Sequence, residues 1–130
     1  MDANVSLGSA LAREVRAREA LYTELDIVER PSAGYIRLPL AMRDLVVAAV
    51  GCMLRVSWLR SSRRAYVRCS IDHRRVLRLE VVDDGGWYDE RAQWELSEIG
   101  QRAFRLKPDS TLDLEFCPQK FAAVSLILPL

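Results

Sequence analysis

Between Val76 and Asp83 the chain alternates, with Leu77, Leu79 and Val81 separated by Arg78, Glu80 and Val82. A period of two is that of a strand with one buried face. The strand runs into Asp83-Asp84-Gly85-Gly86, read either as an ordinary turn or as a carboxylate delivered to the floor of a ligand pocket. Arg64 to Ile71 alternates in the same way, with Ala65, Val67, Cys69 and Ile71 on one face and Arg64, Tyr66, Arg68 and Ser70 on the other. The turn Asp72-His73-Arg74-Arg75 joins the two strands into an antiparallel hairpin.

Elsewhere the period changes. Leu7, Leu11 and Val15 recur every fourth residue behind Ser6, a good N-cap, which predicts a surface helix with a narrow apolar stripe. Leu21 to Val28 reverts to alternation, Leu21, Thr23, Leu25 and Ile27 against Tyr22, Glu24, Asp26 and Val28, and is read as a strand. Arg30 to Gly34 breaks it, and a short extended piece from Tyr35 to Leu38 leads to Pro39, which suits the first turn of a helix. From Leu40 to Leu59 the pattern is helical, and between Leu45 and Leu54 it is apolar on every face, so this helix is expected to be buried across the sheet. A linker from Trp87 to Gln93 precedes Ala92, Leu96, Ile99, Ala103 and Leu106, spaced as one face of a helix that Lys107-Pro108-Asp109 ends. Leu112, Leu114 and Phe116, then Val124, Leu126 and Leu128, make two strands around the turn Cys117 to Lys120, and Pro129 stops the second. The order implies an α+β fold. It is a two-layer α/β sandwich, with a mixed, mostly antiparallel sheet of about five strands covered on one face by about three helices.

Composition adds limits. The chain has 130 residues, half of them hydrophobic, which fits a single domain over 1–130 with residues 1–5 frayed. Its net charge of +1 gives no whole-chain attraction for a polyanion. The longest uncharged apolar run, Leu45 to Leu54, is too short to span a bilayer, and no signal peptide opens the chain, so a cytoplasmic protein without membrane contact is expected. Cys52, Cys69 and Cys117 are widely separated, each in an apolar pattern, and are read as buried free thiols with no metal spacing.

The hairpin with its acidic-glycine turn (Arg63 to Gly86), the long helix before it and the closing strand Val124 to Leu130 together resemble the ATP-binding domain of sensor histidine kinases. That fold is shared with gyrase B, heat-shock chaperones and anti-sigma-factor kinases, and the likeness is nearest to kinases that partner LuxR-type response regulators. The resemblance implies three chemical boxes: a magnesium-holding Asn with a Glu one turn earlier on the long helix, an Asp-x-Gly-x-Gly box whose Asp accepts from the adenine amino group, and a second glycine-rich stretch for the phosphates.

The chain matches these in part. Asp83 and Gly85 stand at the first Asp and Gly of the acidic box, so they are the candidate nucleotide-binding remnant. Trp87 stands at the second Gly. Leu54 and Val50 stand where the Asn and Glu are implied, and neither ligates a hard cation. Gln93, Trp94 and Glu95 stand where the family is glycine-rich. No metal site, no catalytic residue and no cofactor is therefore expected, beyond weak ATP or ADP binding. The only His, His73, is in a hairpin turn, a surface position rather than a phosphoacceptor.

The resulting expectation is a degenerate, non-catalytic histidine-kinase-type ATPase-like domain in bacterial signalling. It would bind a partner such as a histidine kinase, a response regulator or a sigma-factor regulator, and a homodimer is open. Trp87, Trp94 and Arg91 are the candidate interaction residues, since exposed Trp and Arg anchor interfaces. Trp58, Trp87 and Trp94 are alternatively read as core filling an emptied pocket, with Trp87 or Trp94 as its plug and Asp83 paired to local amides or an Arg. A second reading is an enzyme that binds ATP or ADP in a rebuilt pocket, with Arg91, Arg102 or Arg105 on the phosphates. A third is nucleic-acid binding through the Arg-rich hairpin, where Arg64, Tyr66 and Arg68 share a face and eight Arg face one acid between Arg55 and Arg78.

Overall fold

A computed structural model describes residues 6–29 and 37–130. The expected fraying of residues 1–5, the break from Arg30 to Gly34 and the start of the extended piece at Tyr35 lie outside the described residues. Helix α1 (Leu7–Arg16) begins where the pattern places it: the Ser6 hydroxyl accepts from the Ser9 amide at 3.2 Å, and Leu7, Leu11 and Val15 are buried. Strand β1 (Glu24–Glu29) begins three residues later than Leu21. A short 3-10 turn, Glu19–Leu21, rotates the chain so that Leu21 faces solvent and Tyr22 turns inward, its hydroxyl donating to Leu54 O at 2.7 Å. Alternation holds from there, with Leu25 buried and Glu24 and Asp26 exposed.

Helix α2 (Leu40–Leu59) follows Pro39 directly. Met42, Leu45, Val46, Ala49, Val50, Met53, Leu54 and Val56 bury its sheet-facing side. Its opposite side is only half-buried: Val47, Ala48, Gly51 and Cys52 floor a groove of about 470 Å³ between α1 and the last helix. Small residues leave room there, and the Arg18 guanidinium lies 3.1 Å from the point where a Cβ on Gly51 would stand. Of the three thiols expected to be buried, Cys69 is, whereas Cys52 in this groove and Cys117, the last residue of the strand Thr111–Cys117, are intermediate.

Strands β2 (Arg64–Ile71) and β3 (Val76–Asp83) form the expected hairpin. Its turn is closed by Asp72, whose Oδ1 accepts from the amides of Arg74 and Val76, and by Arg75 at a φ of 61°. Helix α3 (Glu90–Leu106) starts earlier than Gln93 because Asp89 caps it, Oδ1 accepting from the Ala92 amide at 2.8 Å. Glu90 to Gln93, the second half of the stretch read as a linker, are therefore the helix's first turn, and only Trp87 to Asp89 connect it to the preceding glycines. Strands β4 (Thr111–Cys117) and β5 (Phe121–Pro129) complete a five-stranded sheet in the order β1-β2-β3-β5-β4, with β1 parallel to β2 and every other pair antiparallel. Leu77, Leu79, Val81, Val124, Leu126 and Leu128, each at most 1% exposed, carry the core under the helices. The result is a two-layer sandwich, as the pattern required. No helix among the described residues is long and apolar enough to cross a membrane.

Candidate functional site

Strand β3 ends on Asp83, and the inward alternation that buries Leu79 and Val81 also buries this carboxylate. An unpaired buried carboxylate is costly, so a partner is required. Helix α2 supplies it. The helix ends at Arg60, whose Nη1 and Nη2 reach Asp83 Oδ2 and Oδ1 at 2.9 and 2.8 Å. Both side chains are shut off, at 3% and 1% exposure. The forked match of guanidinium to carboxylate is the strongest form of this bond. The remaining groups are also satisfied: Arg60 Nε donates to Gly86 O at 2.8 Å, and the Gly85 amide donates to Asp83 Oδ1 at 2.9 Å. The Arg60 carbonyl in turn accepts from the Gly86 amide at 3.1 Å.

Gly85 is closely surrounded. A Cβ there would stand 3.1 Å from Arg60 O and 3.2 Å from both Arg60 Nη2 and Asp83 Oδ1, so the pair would have to shift by a few tenths of an ångström to admit a side chain. The ring of Tyr88 closes the assembly from the other side, 3.9 Å from the Arg60 guanidinium carbon, a desolvated cation–π contact. Tyr88 is wholly buried. Burial pushes its phenol well above the ordinary range, with Asp83 adding to the rise and Arg60 opposing it. Its hydroxyl is buried and has no hydrogen-bond partner among the described residues.

Asp84, the next residue, does a different job. It is exposed, and its Oδ1 accepts from the amides of Arg63 and Arg64 and from the Ser62 hydroxyl, at 2.8, 3.1 and 3.0 Å. Partial desolvation pushes its carboxyl up, but these bonds together outweigh it and hold the pKa below the usual range. The two acids thus fasten the end of β3 at two points, Asp83 to the end of α2 and Asp84 to the connection that leads from α2 into β2.

Leu54 and Val50 are both fully buried on the sheet-facing side of α2. Gln93, Trp94 and Glu95 lie on α3 rather than in a loop. Arg91 is exposed on the first turn of α3, 4.0 Å from Glu95, which also accepts from Arg55 at 3.2 Å. Arg102 and Arg105 stand near the other end of α3, roughly 20 Å along its axis from Tyr88, and line a separate groove with Ala41, Asp44, Leu45 and Leu106. They are not brought to Asp83.

None of the tryptophans plugs the site, contrary to the core-filling expectation: Trp58, Trp87 and Trp94 are 48%, 58% and 64% exposed. The residue that fills the space is Tyr88, and the cation that pairs Asp83 is Arg60. The sequence places Arg60 at the wetter end of the long helix and Tyr88 in a linker, yet both are buried, and a buried acid at a strand end does call for a cation from the helix packed over that strand. Arg64, Tyr66 and Arg68 do share an outward face, but Arg68 is engaged with its neighbours, 5.1 Å from the Tyr66 ring and 3.7 Å from Glu80. Among the described residues no group of three or more His, Cys, Asp or Glu stands ready to hold a metal.

No protein-family model matches the sequence, and no curated protein matches it. Solved structures do. The blue-light-activated histidine kinase of Erythrobacter litoralis superposes with a TM-score of 0.73 at 16% identity, over 97% of this chain and 46% of that one. A histidine kinase domain of the same protein gives 0.76 at 17% identity, over 99% and 63%. This chain therefore spans less than two thirds of either. The ATP-binding domain of PrrB from Mycobacterium tuberculosis gives 0.64 at 22% identity, over 96% and 94% of the two chains. The fold is that of histidine-kinase ATP-binding domains.

Proposed function

We propose that this chain is a non-catalytic member of that fold, a protein-interaction module in bacterial signal transduction whose nucleotide position is closed from within. The observation that carries the reading is the Arg60–Asp83 pair. In the resemblance drawn from the sequence, the acid of the Asp-x-Gly box accepts from adenine. Here both carboxylate oxygens are taken by a buried guanidinium, itself stacked on Tyr88. A nucleobase would have to displace Arg60 and leave its charge unpaired, a loss of several kcal/mol. Leu54 and Val50 offer no oxygen to magnesium, and a helix stands where phosphate-binding glycines are implied.

The exposed Trp87, Trp94 and Arg91 supply an interaction surface for a cytoplasmic partner, such as a histidine kinase, a response regulator or a sigma-factor regulator. The competing reading, a rebuilt site for ATP or ADP, keeps Asp83 and Gly85 as ligand residues, with Arg91 nearest among the exposed cations of α3. Calorimetry with ATP and ADP, with and without magnesium, separates the two. The interaction-module reading expects no saturable heat and no phosphate release. Magnesium-dependent turnover abolished by Asp83→Asn would overturn it.

A further inference from the structure

Strand β4 is the terminal strand of the sheet among the described residues. It pairs with β5 from Thr111 to Cys117, and its other edge carries no strand. Open edges of this kind invite pairing with another chain unless guarded. Its two faces differ in character. Leu112, Leu114 and Phe116 face the helical layer, but α3 leaves them incompletely covered, and Leu114 is 39% exposed. Trp87 extends this strip, packing edge-on against Phe116 with ring centroids 5.3 Å apart while remaining 58% exposed. The opposite face presents Asp113 and Glu115, both exposed, and neither is in an ion pair among the described residues.

We infer that the β4 edge is a docking site for an extended segment of a partner protein, one that alternates apolar with basic residues. The apolar side chains would lie against Leu114, Phe116 and Trp87, and the Lys or Arg side chains would face Asp113 and Glu115. Strand addition draws its affinity from main-chain hydrogen bonds and its choice of sequence from alternate side chains. A second copy of this chain is disfavoured in the three central registers, which use most of the strand. Antiparallel pairing of β4 with itself about Leu114 sets Asp113 against Glu115 twice, and shifting the centre to Asp113 or Glu115 sets that acid against itself. Like charges opposite one another destabilise a strand pair. A basic partner converts the same acids from repulsion to attraction.

This inference rests on the interaction-module reading and narrows its partner. It is tested with Trp58→Phe/Trp94→Phe protein, which leaves Trp87 as the sole tryptophan, titrated with a peptide alternating valine and lysine over about eight residues. The expected result is a saturable change in Trp87 emission together with slowed amide exchange along β4. A valine–glutamate peptide should bind at least about tenfold more weakly, as should a valine–lysine peptide with a central proline, which cannot complete the ladder. Asp113→Lys/Glu115→Lys should reverse the charge preference with unchanged circular dichroism. No saturable change, equal binding of both peptides, or a preference for lysine that survives the charge reversal overturns the inference, as does a concentration-dependent dimer that protects β4. None of these results alters the nucleotide calorimetry, so the two proposals fail separately.

Discussion

Trp87 and Tyr88 are neighbours in the chain, yet one is 58% exposed and the other is fully buried. They divide the molecule into two regions built on different terms. Behind Tyr88, the end of α2 and the end of β3 are locked together, and the buried acid has a cation, an amide donor and an aromatic lid from within the chain. Beyond Trp87, along β4, Asp113, Leu114 and Glu115 stand exposed, and Leu112 and Phe116 are only half covered. The contrast separates a region whose polar groups are satisfied within the chain from one whose side chains are left at the surface. In the closed region every polar atom of the Arg60–Asp83 pair that could be orphaned by burial is engaged, so an incoming ligand would have to compete with the chain itself.

The strongest way to break the contrast is to remove one member of the closed pair. Asp83→Ala leaves the Arg60 guanidinium buried and unpaired and is expected to cost about 3–5 kcal/mol in denaturant unfolding. The joint replacement Arg60→Met/Asp83→Leu should recover much of that loss, because neither charge then remains. A loss below roughly 1 kcal/mol for Asp83→Ala would show that the pair is solvated after all.

Substitutions at the dividing residues sharpen the contrast further. Tyr88→Phe removes a hydroxyl that is buried without a partner among the described residues, so it should leave stability unchanged or raise it by about 1 kcal/mol. Trp87→Ala should change stability by less than about 1 kcal/mol, since most of the ring is already in water, while abolishing binding of the valine–lysine peptide. Marked destabilisation by Tyr88→Phe would mean that the hydroxyl is hydrogen-bonded in solution.

The smallest effect concerns Asp84. Its folded pKa lies below the unfolded value, so its contribution is complete above about pH 4 and is lost as pH falls through the lowered folded value. The stability difference between the protein and Asp84→Asn should be flat above about pH 5 and shrink as the solution is acidified further. A difference that grows on acidification would contradict the assigned direction.

Much of the fold was legible because the chain's periods are clean. The long helix from Leu40 to Leu59 and the hairpin from Arg64 to Asp83 fall where the pattern puts them. The start of β1 did not, because Leu21 and Tyr22 are both apolar enough to face inward, and only the 3-10 turn decides between them. The start of α3 was hidden because the charged residues after Asp89 read equally as loop or as the wet side of a helix. In the site, Asp83 was visible from its place at the end of a buried strand. Arg60 was not, since its pairing spans 23 residues of sequence and depends on how α2 crosses the sheet. Tyr88 sits between more conspicuous neighbours, Trp87 on one side and the acids Asp89 and Glu90 on the other, and no period marks it as buried.

The central claim is that Asp83 is occupied from inside the chain. Its most direct test follows the Arg60 Nε–H and the Gly85 and Gly86 amides by NMR while magnesium-ATP is added to millimolar excess. The account predicts a slowly exchanging Arg60 Nε–H that stays in place throughout, with no saturable shift at either glycine. Loss of that signal, accompanied by saturable movement of Gly85 and Gly86, would show the nucleotide displacing Arg60 and contradict it.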